Sequence, residues 1–260
     1  MKIGFVGTGD IAEAIIKGLM RADFPVDKIA VSARSRAISS ELAETYEKVT
    51  VYEDNQDVVD AGSDLVFLAV LPHQAEEVLR PLRFHDGQEV ASVIGTLPVE
   101  TIADLTGATG SITRAVPLPP VADLRAVTVL SGPSERLEAM FEKLGGVIVT
   151  QSFDELNALT IPTTLMGTFF GLQEIVVDWM GQKGVGEADA RKFVSNLFLS
   201  LARTGVESGQ TFPELRKAHS TPGGLNAQIF DVFVENGGDK ALTKAMDSVM
   251  GRILAASDKA

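Results

Sequence analysis

Gly7-Thr8-Gly9-Asp10-Ile11-Ala12 has the spacing G-x-G-x-x-A directly after a short apolar run at 3–6. A first glycine permits a tight turn, a second lets backbone approach a ligand, and a small third residue lets helix and strand pack closely. Together they form a cradle for a pyrophosphate at a helix N-terminus. The chemistry implied is binding of a dinucleotide cofactor. The same spacing also occurs in glycine turns without a ligand, but here it follows the first strand and opens a helix, the context that cofactor binding needs. A second stretch, Val31-Ser32-Ala33-Arg34-Ser35-Arg36, ends the next apolar run. A cofactor with a free ribose 2′-hydroxyl usually meets Asp or Glu at this place. Two guanidinium groups and the hydroxyls of Ser32 and Ser35 suit a 2′-phosphate instead. The expectation is therefore NADP(H), with NADH as the alternative; a solvated basic loop is the other reading of Arg34 and Arg36. In the third stretch, Ala69, Val70, Leu71 and Pro72 follow a strongly apolar run and are placed to line the cofactor crevice, with Pro72 forcing a loop. Asn55 is read either as a contact to the adenine end or as a turn residue.

These loops need strands and helices to hold them. From residue 1 to about 150, apolar runs at 3–6, 29–32, 50–52, 65–70, 89–94, 111–116, 127–130 and 147–149 alternate with helical patterns at 11–21, 39–46, 57–61, 74–82, 101–105 and 135–144. Such alternation predicts an α/β domain with a mostly parallel, doubly wound sheet. Beyond 150 the periodicity is helical: 153–181, 187–208, 213–218, 223–236 and 240–258, with a glycine-rich break at 181–186. The reading is two domains, 1–152 for the cofactor and 153–260 helical, which suits 260 residues at roughly 100–200 per domain.

Composition narrows the chemistry. With no cysteine, disulfides, thiolate catalysis and zinc–cysteine sites are excluded. The three histidines, His73, His85 and His219, do not stand at metal-ligand spacing, so no transition-metal site is expected. The net charge of −12, without a basic cluster, makes nucleic acid and anionic membrane poor partners. No secretory leader is read at residues 1–6. The longest uncharged run, 156–173, reaches membrane-span length but carries Asn157, four threonines, Pro162 and Gln173, which suits a buried helix better. The expectation is a cytoplasmic, soluble protein.

At this point the sequence resembles the pyrroline-5-carboxylate reductase family along essentially the whole chain. The segment 2–19 looks like that family's first strand and helix, and 66–72 like its cofactor-loop strand. Three motifs in register carry the resemblance furthest: Glu207-Ser208-Gly209, Glu214-Leu215-Arg216 and Ser220-Thr221-Pro222-Gly223-Gly224, against the family's E-S-G, E-L-R and S-P-G-G-T-T. The resemblance implies a Rossmann-type domain followed by an all-helical dimerisation domain, with the helices of two subunits interleaved into a homodimer and larger rings left open. It implies NAD(P)H-dependent reduction of a cyclic imino acid, 1-pyrroline-5-carboxylate, to proline. It also implies that Ser220, Thr221, Gly223 and Gly224 hold the substrate carboxylate. Residues alone would read the segment as a turn, although a turn before a helix start does offer free N–H donors.

Departures from the family pattern lie in the substrate region. The two threonines after Gly-Gly are Leu225 and Asn226; Asn226 keeps a hydrogen-bond donor and Leu225 does not. R-A-M-P-N-T-P stands as Arg114-Ala-Val-Pro-Leu-Pro-Pro120, so the asparagine near the nicotinamide is Leu118. S-G-S-G-P-A-Y aligns with Pro162-Thr-Thr-Leu-Met-Gly-Thr168, where Thr163, Thr164 and Thr168 restore some hydroxyls. The pattern is that of a divergent member with an altered, more apolar substrate site. Asn226 and Thr221 are the expected substrate-orienting residues, with Thr164 as a further contact. His219 is a candidate proton donor or a surface histidine. Phe169, Phe170 and Trp179 read as core or dimer packing. Competing functions are a reductase of another imine or ketone and a non-catalytic NADPH sensor. A β-hydroxyacid dehydrogenase is disfavoured because no lysine lies between 151 and 182.

Overall fold

The computed structural model describes residues 1–95 and 97–257. Eight strands form one sheet: β1 Lys2–Val6, β2 Lys28–Ser32, β3 Val49–Tyr52, β4 Leu65–Leu68, β5 Glu89–Ser92, β6 Ile112–Val116, β7 Thr128–Ser131 and β8 Val147–Thr150. Their spatial order is β3-β2-β1-β4-β5-β6-β7-β8, with every neighbouring pair parallel except β6–β7. β1 lies between β2 and β4, so the chain reverses direction across the sheet beside it. In open α/β sheets, ligands bind at the carboxyl ends of strands where the order reverses.

Six helices accompany the sheet: α1 Asp10–Arg21, α2 Arg36–Thr45, α3 Asn55–Ala61, α4 Ala75–Leu79, α5 Val99–Thr106 and α6 Glu135–Lys143. Side chains alternate along each strand, so the sheet has two apolar faces. Ile3 and Phe5 join Ile15, Leu19, Met140 and Phe141 on one face, where α1 and α6 pack. Val6, Ala30, Val58, Leu79 and Ile102 fill the other, under α3, α4 and α5. Phe5 stacks on Phe67 with ring centroids 4.8 Å apart, and Phe141 meets Phe67 edge-on at 6.4 Å. Burying each such ring contributes about 1.5–3 kcal/mol. The expected α/β class and parallel sheet are observed.

The expected helix at 153–181 is interrupted. α7 Phe153–Thr160 gives way to a 3-10 segment, Ile161–Leu165, before α8 Met166–Gln182. Pro162 has no N–H for an α-helical bond and its ring clashes with the preceding turn. α7 packs on β7 and β8, burying Leu156, so the first compact unit runs to Thr160 and also takes in the chain from Met250. The second unit, Ile161–Val249, holds α8, α9 Glu187–Glu207, α10 Phe212–Ala218, α11 Leu225–Glu235 and most of α12 Gly238–Ser257. The reading of the last helix to 258 ends outside the described residues.

The second unit is helical throughout but thinly buried. Among its described residues only Ile161, Ala190 and Val194 are buried. Of the run 156–173, Leu156, Asn157 and Ile161 are buried but α8 has no buried residue, so the expectation of a buried helix is met only in its first part. Phe170, Ile175 and Trp179 stand 68%, 66% and 58% exposed. Among the described residues, no helix is long and apolar enough to cross a membrane.

Candidate functional site

The candidate residues fall into two groups, one in each compact unit. In the first, the loop after β1 is tied to the ends of β2 and β4. The Gly7 N–H donates to Ser32 Oγ at 3.0 Å, and Thr8 Oγ1 donates to the Ser32 carbonyl at 2.7 Å. The Ala69 N–H donates to the Val6 carbonyl at 2.8 Å. Gly7 has φ +96°, and a Cβ there would lie 2.5 Å from the Ala69 carbonyl oxygen. Only glycine fits that conformation and that gap. Gly9 differs: a Cβ would meet no atom within 4 Å, so its face is open. Gly9 is also the N-cap of α1 and has no side chain to satisfy the first-turn N–H groups. Asp10 and Ile11 therefore present backbone N–H donors beside that open face.

Ser32 and Thr8 were expected to face the cofactor. Both are buried, and their hydroxyls are engaged with the loop itself, so they brace the cradle from behind. The two arginines separate in the same way. Arg36 Nη2 donates to both oxygens of the Glu53 carboxylate, at 3.0 and 3.1 Å. Arg34 is exposed and forms no ion pair among the described residues. Ser35 is the N-cap of α2 with no side-chain cap bond, and α2 has no acid in its first turn. This corner thus offers one free guanidinium, one hydroxyl and an uncapped helix start, all of which favour an anion.

Asp54, which the sequence reading passed over, caps α3 by accepting the Gln56 N–H at 2.7 Å. That leaves half-buried Asn55 without the capping role. Beyond β4, Val70 turns inward, Leu71 is exposed, and Pro72 opens a 3-10 turn. The tight turn, open Gly9 face and free cation fit a dinucleotide cofactor.

In the second unit, α10 begins with a capping box. Thr211 Oγ1 accepts the Glu214 N–H, and Glu214 accepts both the N–H and the hydroxyl of Thr211. These two donors hold the Glu214 carboxyl below its usual pKa. After α10 the chain turns through 219–224. Asn226 Nδ2 donates to the His219 carbonyl at 2.8 Å and staples the turn shut. The Gly224 N–H donates to the Thr221 carbonyl at 2.8 Å, and Gly223 adopts φ +73°.

His219 Nδ1 faces the Leu215 carbonyl at 2.8 Å, so Nδ1 carries the proton and Nε2 is left for other partners. Ser220 is half-buried and Thr221 exposed; α11 starts at Leu225 with no side-chain cap. Hydroxyls and open helix N–H groups therefore share one turn with the remaining N–H of the Asn226 amide. Thr164 Oγ1 donates to the Ile161 carbonyl at 2.7 Å within the 3-10 segment, which commits its proton locally. Arg216 lies over the Phe230 ring at 4.8 Å and links α10 to α11.

One residue that sequence reading treated only as part of a motif is Arg114, a 3%-exposed cation in β6. The available signal was a charged residue inside the apolar strand Ile112-Thr-Arg-Ala-Val116.

Comparison with known proteins finds matches in both halves of the chain. Residues 2–97 match the family described as NADP oxidoreductase, coenzyme F420-dependent, and residues 155–255 match pyrroline-5-carboxylate reductase dimerisation. A pyrroline-5-carboxylate reductase 3 from Danio rerio is 27% identical, over 100% of this chain and 90% of the relative. In fold, a pyrroline-5-carboxylate reductase from Coxiella burnetii superposes with a TM-score of 0.87, at 24% identity and 98% coverage of both chains. The Plasmodium falciparum pyrroline carboxylate reductase, solved with NADP bound, gives a TM-score of 0.81, at 16% identity and 98% coverage of both. Residues 155–255 thus carry a pyrroline-5-carboxylate reductase dimerisation domain, and the chain is similar along its length to pyrroline-5-carboxylate reductases in sequence and in fold.

Proposed function

We propose that this chain is an NAD(P)H-dependent oxidoreductase acting on the C=N bond of a small cyclic imino acid, with 1-pyrroline-5-carboxylate reduced to proline as the leading reaction. The observation that carries the reading is the glycine turn, locked to Ser32 behind and open at Gly9 in front. Gly7, Gly9 and the first N–H groups of α1 hold the pyrophosphate. Arg34 and Ser35 hold the 2′-phosphate, which makes NADPH the preferred form. Asn55 and the 69–72 loop complete the cofactor's surroundings. When bound, the nicotinamide supplies the hydride.

The rest of the task falls to positioning. Ser220, Thr221 and the Gly223 N–H bind the substrate carboxylate, Gly224 closes the turn through its own N–H to Thr221, and the free Asn226 N–H orients the ring. Hydroxyl and amide donors suffice to hold an imine in a reactive pose. The open N-terminus of α11 favours the carboxylate electrostatically. Two chains pair through the apolar faces of the second unit, in keeping with the dimerisation family that it matches.

The test is NADPH oxidation with 1-pyrroline-5-carboxylate, run beside NADH and a cofactor-binding titration. Turnover with NADPH favoured supports the full reading. One observation favours a second substrate: Leu225, 82% exposed, presents an apolar side chain beside the turn. Tight NADPH binding with turnover only on larger, more apolar imines or ketones would select that reading. Binding without turnover on any of them would leave a sensor.

A further inference from the structure

The first unit contains a cavity of about 300 Å³ that shares no lining residue with the cofactor loops or the 219–226 turn. Arg114 lines it. Its side chain donates one hydrogen bond, to the Gly95 carbonyl, and its Nε has no partner. Among the described residues no carboxylate pairs with it, and burial pulls the guanidinium pKa down from the usual value. Buried charges are normally paired, so an unpaired one calls for a counter-charge.

Further donors reach the cavity, beside the Gln151 amide and a Thr150 hydroxyl that donates to the Leu130 carbonyl. Pro98 and Val99 bring the start of α5 to the wall, and Pro98 as N-cap gives those first-turn N–H groups no side-chain acceptor. Ser131 Oγ already accepts the Arg114 N–H, and Ser152 Oγ accepts the Glu155 N–H, so each hydroxyl hydrogen can turn toward a ligand. The sole acid on the wall, Glu100, is exposed. Phe153 and Leu156 supply an apolar side. The volume equals that of about ten waters.

We propose that this cavity is a second ligand site, taking a small carboxylate with a short apolar tail. The carboxylate would accept from the Arg114 guanidinium and the α5 N-terminus, and the tail would lie on Phe153 and Leu156. An uncapped helix start and a buried, unpaired guanidinium converging on one space select an acceptor-only group.

The test is thermal unfolding of the full chain in butyrate, against chloride at equal ionic strength, with inorganic phosphate as a parallel arm. Butyrate should raise the Tm in a saturable way, by mass action. Arg114→Gln should weaken the apparent affinity by about tenfold or more. Val99→Trp fills the mouth while leaving Arg114 in place; it should abolish the butyrate shift yet unfold near the wild-type temperature in chloride. It decides the matter if Arg114→Gln does not fold. No shift in the wild type, or equal shifts in wild type and Val99→Trp, would overturn the proposal. A larger shift in phosphate than in butyrate would overturn the carboxylate assignment.

Discussion

Gly7 and Gly9 sit two positions apart and answer to different constraints. Replacing Gly7 by Ala forces a side chain into φ +96° and against the Ala69 carbonyl. A residue held in such a region costs about 1–3 kcal/mol, so chemical denaturation should show a loss of that order. At Gly9 a Cβ would meet no protein atom within 4 Å, so Gly9→Val has room where its side chain starts. Its stability should stay within about 1 kcal/mol of wild type, while a fluorescence titration shows NADPH binding lost. Arg34→Ala should weaken NADPH by roughly tenfold or more, the worth of a charged hydrogen bond, and leave NADH unchanged. Equal loss for both cofactors would remove Arg34 from the 2′-phosphate. Residue types were legible at these positions because glycine spacing and charge are written in the chain. Orientation was not: nothing in Val31-Ser32-Ala33 says that the Ser32 hydroxyl turns inward to Gly7. That depends on β1 and β2 lying side by side.

Among the elements, α10 is the one whose start is most fully specified. Its capping box satisfies helix-end donors reciprocally, and Thr211→Ala should lower stability by about 0.5–2 kcal/mol in thermal unfolding. The box is also sensitive to pH. Because the Glu214 pKa is lowered in the folded state, its contribution is complete above the ordinary carboxylate range and is lost as pH falls through the depressed value. The protection factor of the Thr211 amide, taken relative to intrinsic exchange at each pH, should fall on acidification in the wild type and lose that dependence in Glu214→Gln. Elements with strong patterns, such as β1, α1 and β4, were readable from apolar runs and periodicity. The break at 161–165 was passed over because the uncharged, periodic residues around Pro162 read as one continuous helix, although the proline's missing donor did carry the signal. The 3-10 segment Pro119–Asp123 escaped as well, since so short a turn has no period to detect.

At the level of the whole molecule, the two compact units bury their apolar residues very differently. The sheet encloses two full clusters, whereas Phe170, Ile175 and Trp179 of α8 remain in solvent. This region matches a dimerisation family, and the exposed face is the one that the proposed pairing would cover. The Tm should therefore rise with protein concentration, and Ile175→Glu should shift the mass in solution toward a single chain while sparing the sheet's near-ultraviolet signal. An unchanged mass would place the contact elsewhere. The doubly wound sheet was visible from alternation alone, but the bareness of α8 was not, because an apolar helix reads the same whether its own chain or another covers it. That bareness has a consequence for synthesis. Nearly all residues that the chain buries by itself lie before Thr160, so the sheet can fold on the ribosome while the helices are still being made. The later helices then emerge with their apolar sides uncovered and stay so until a second copy arrives. The interval between release and encounter is the period when aggregation competes, and it shortens as expression rises.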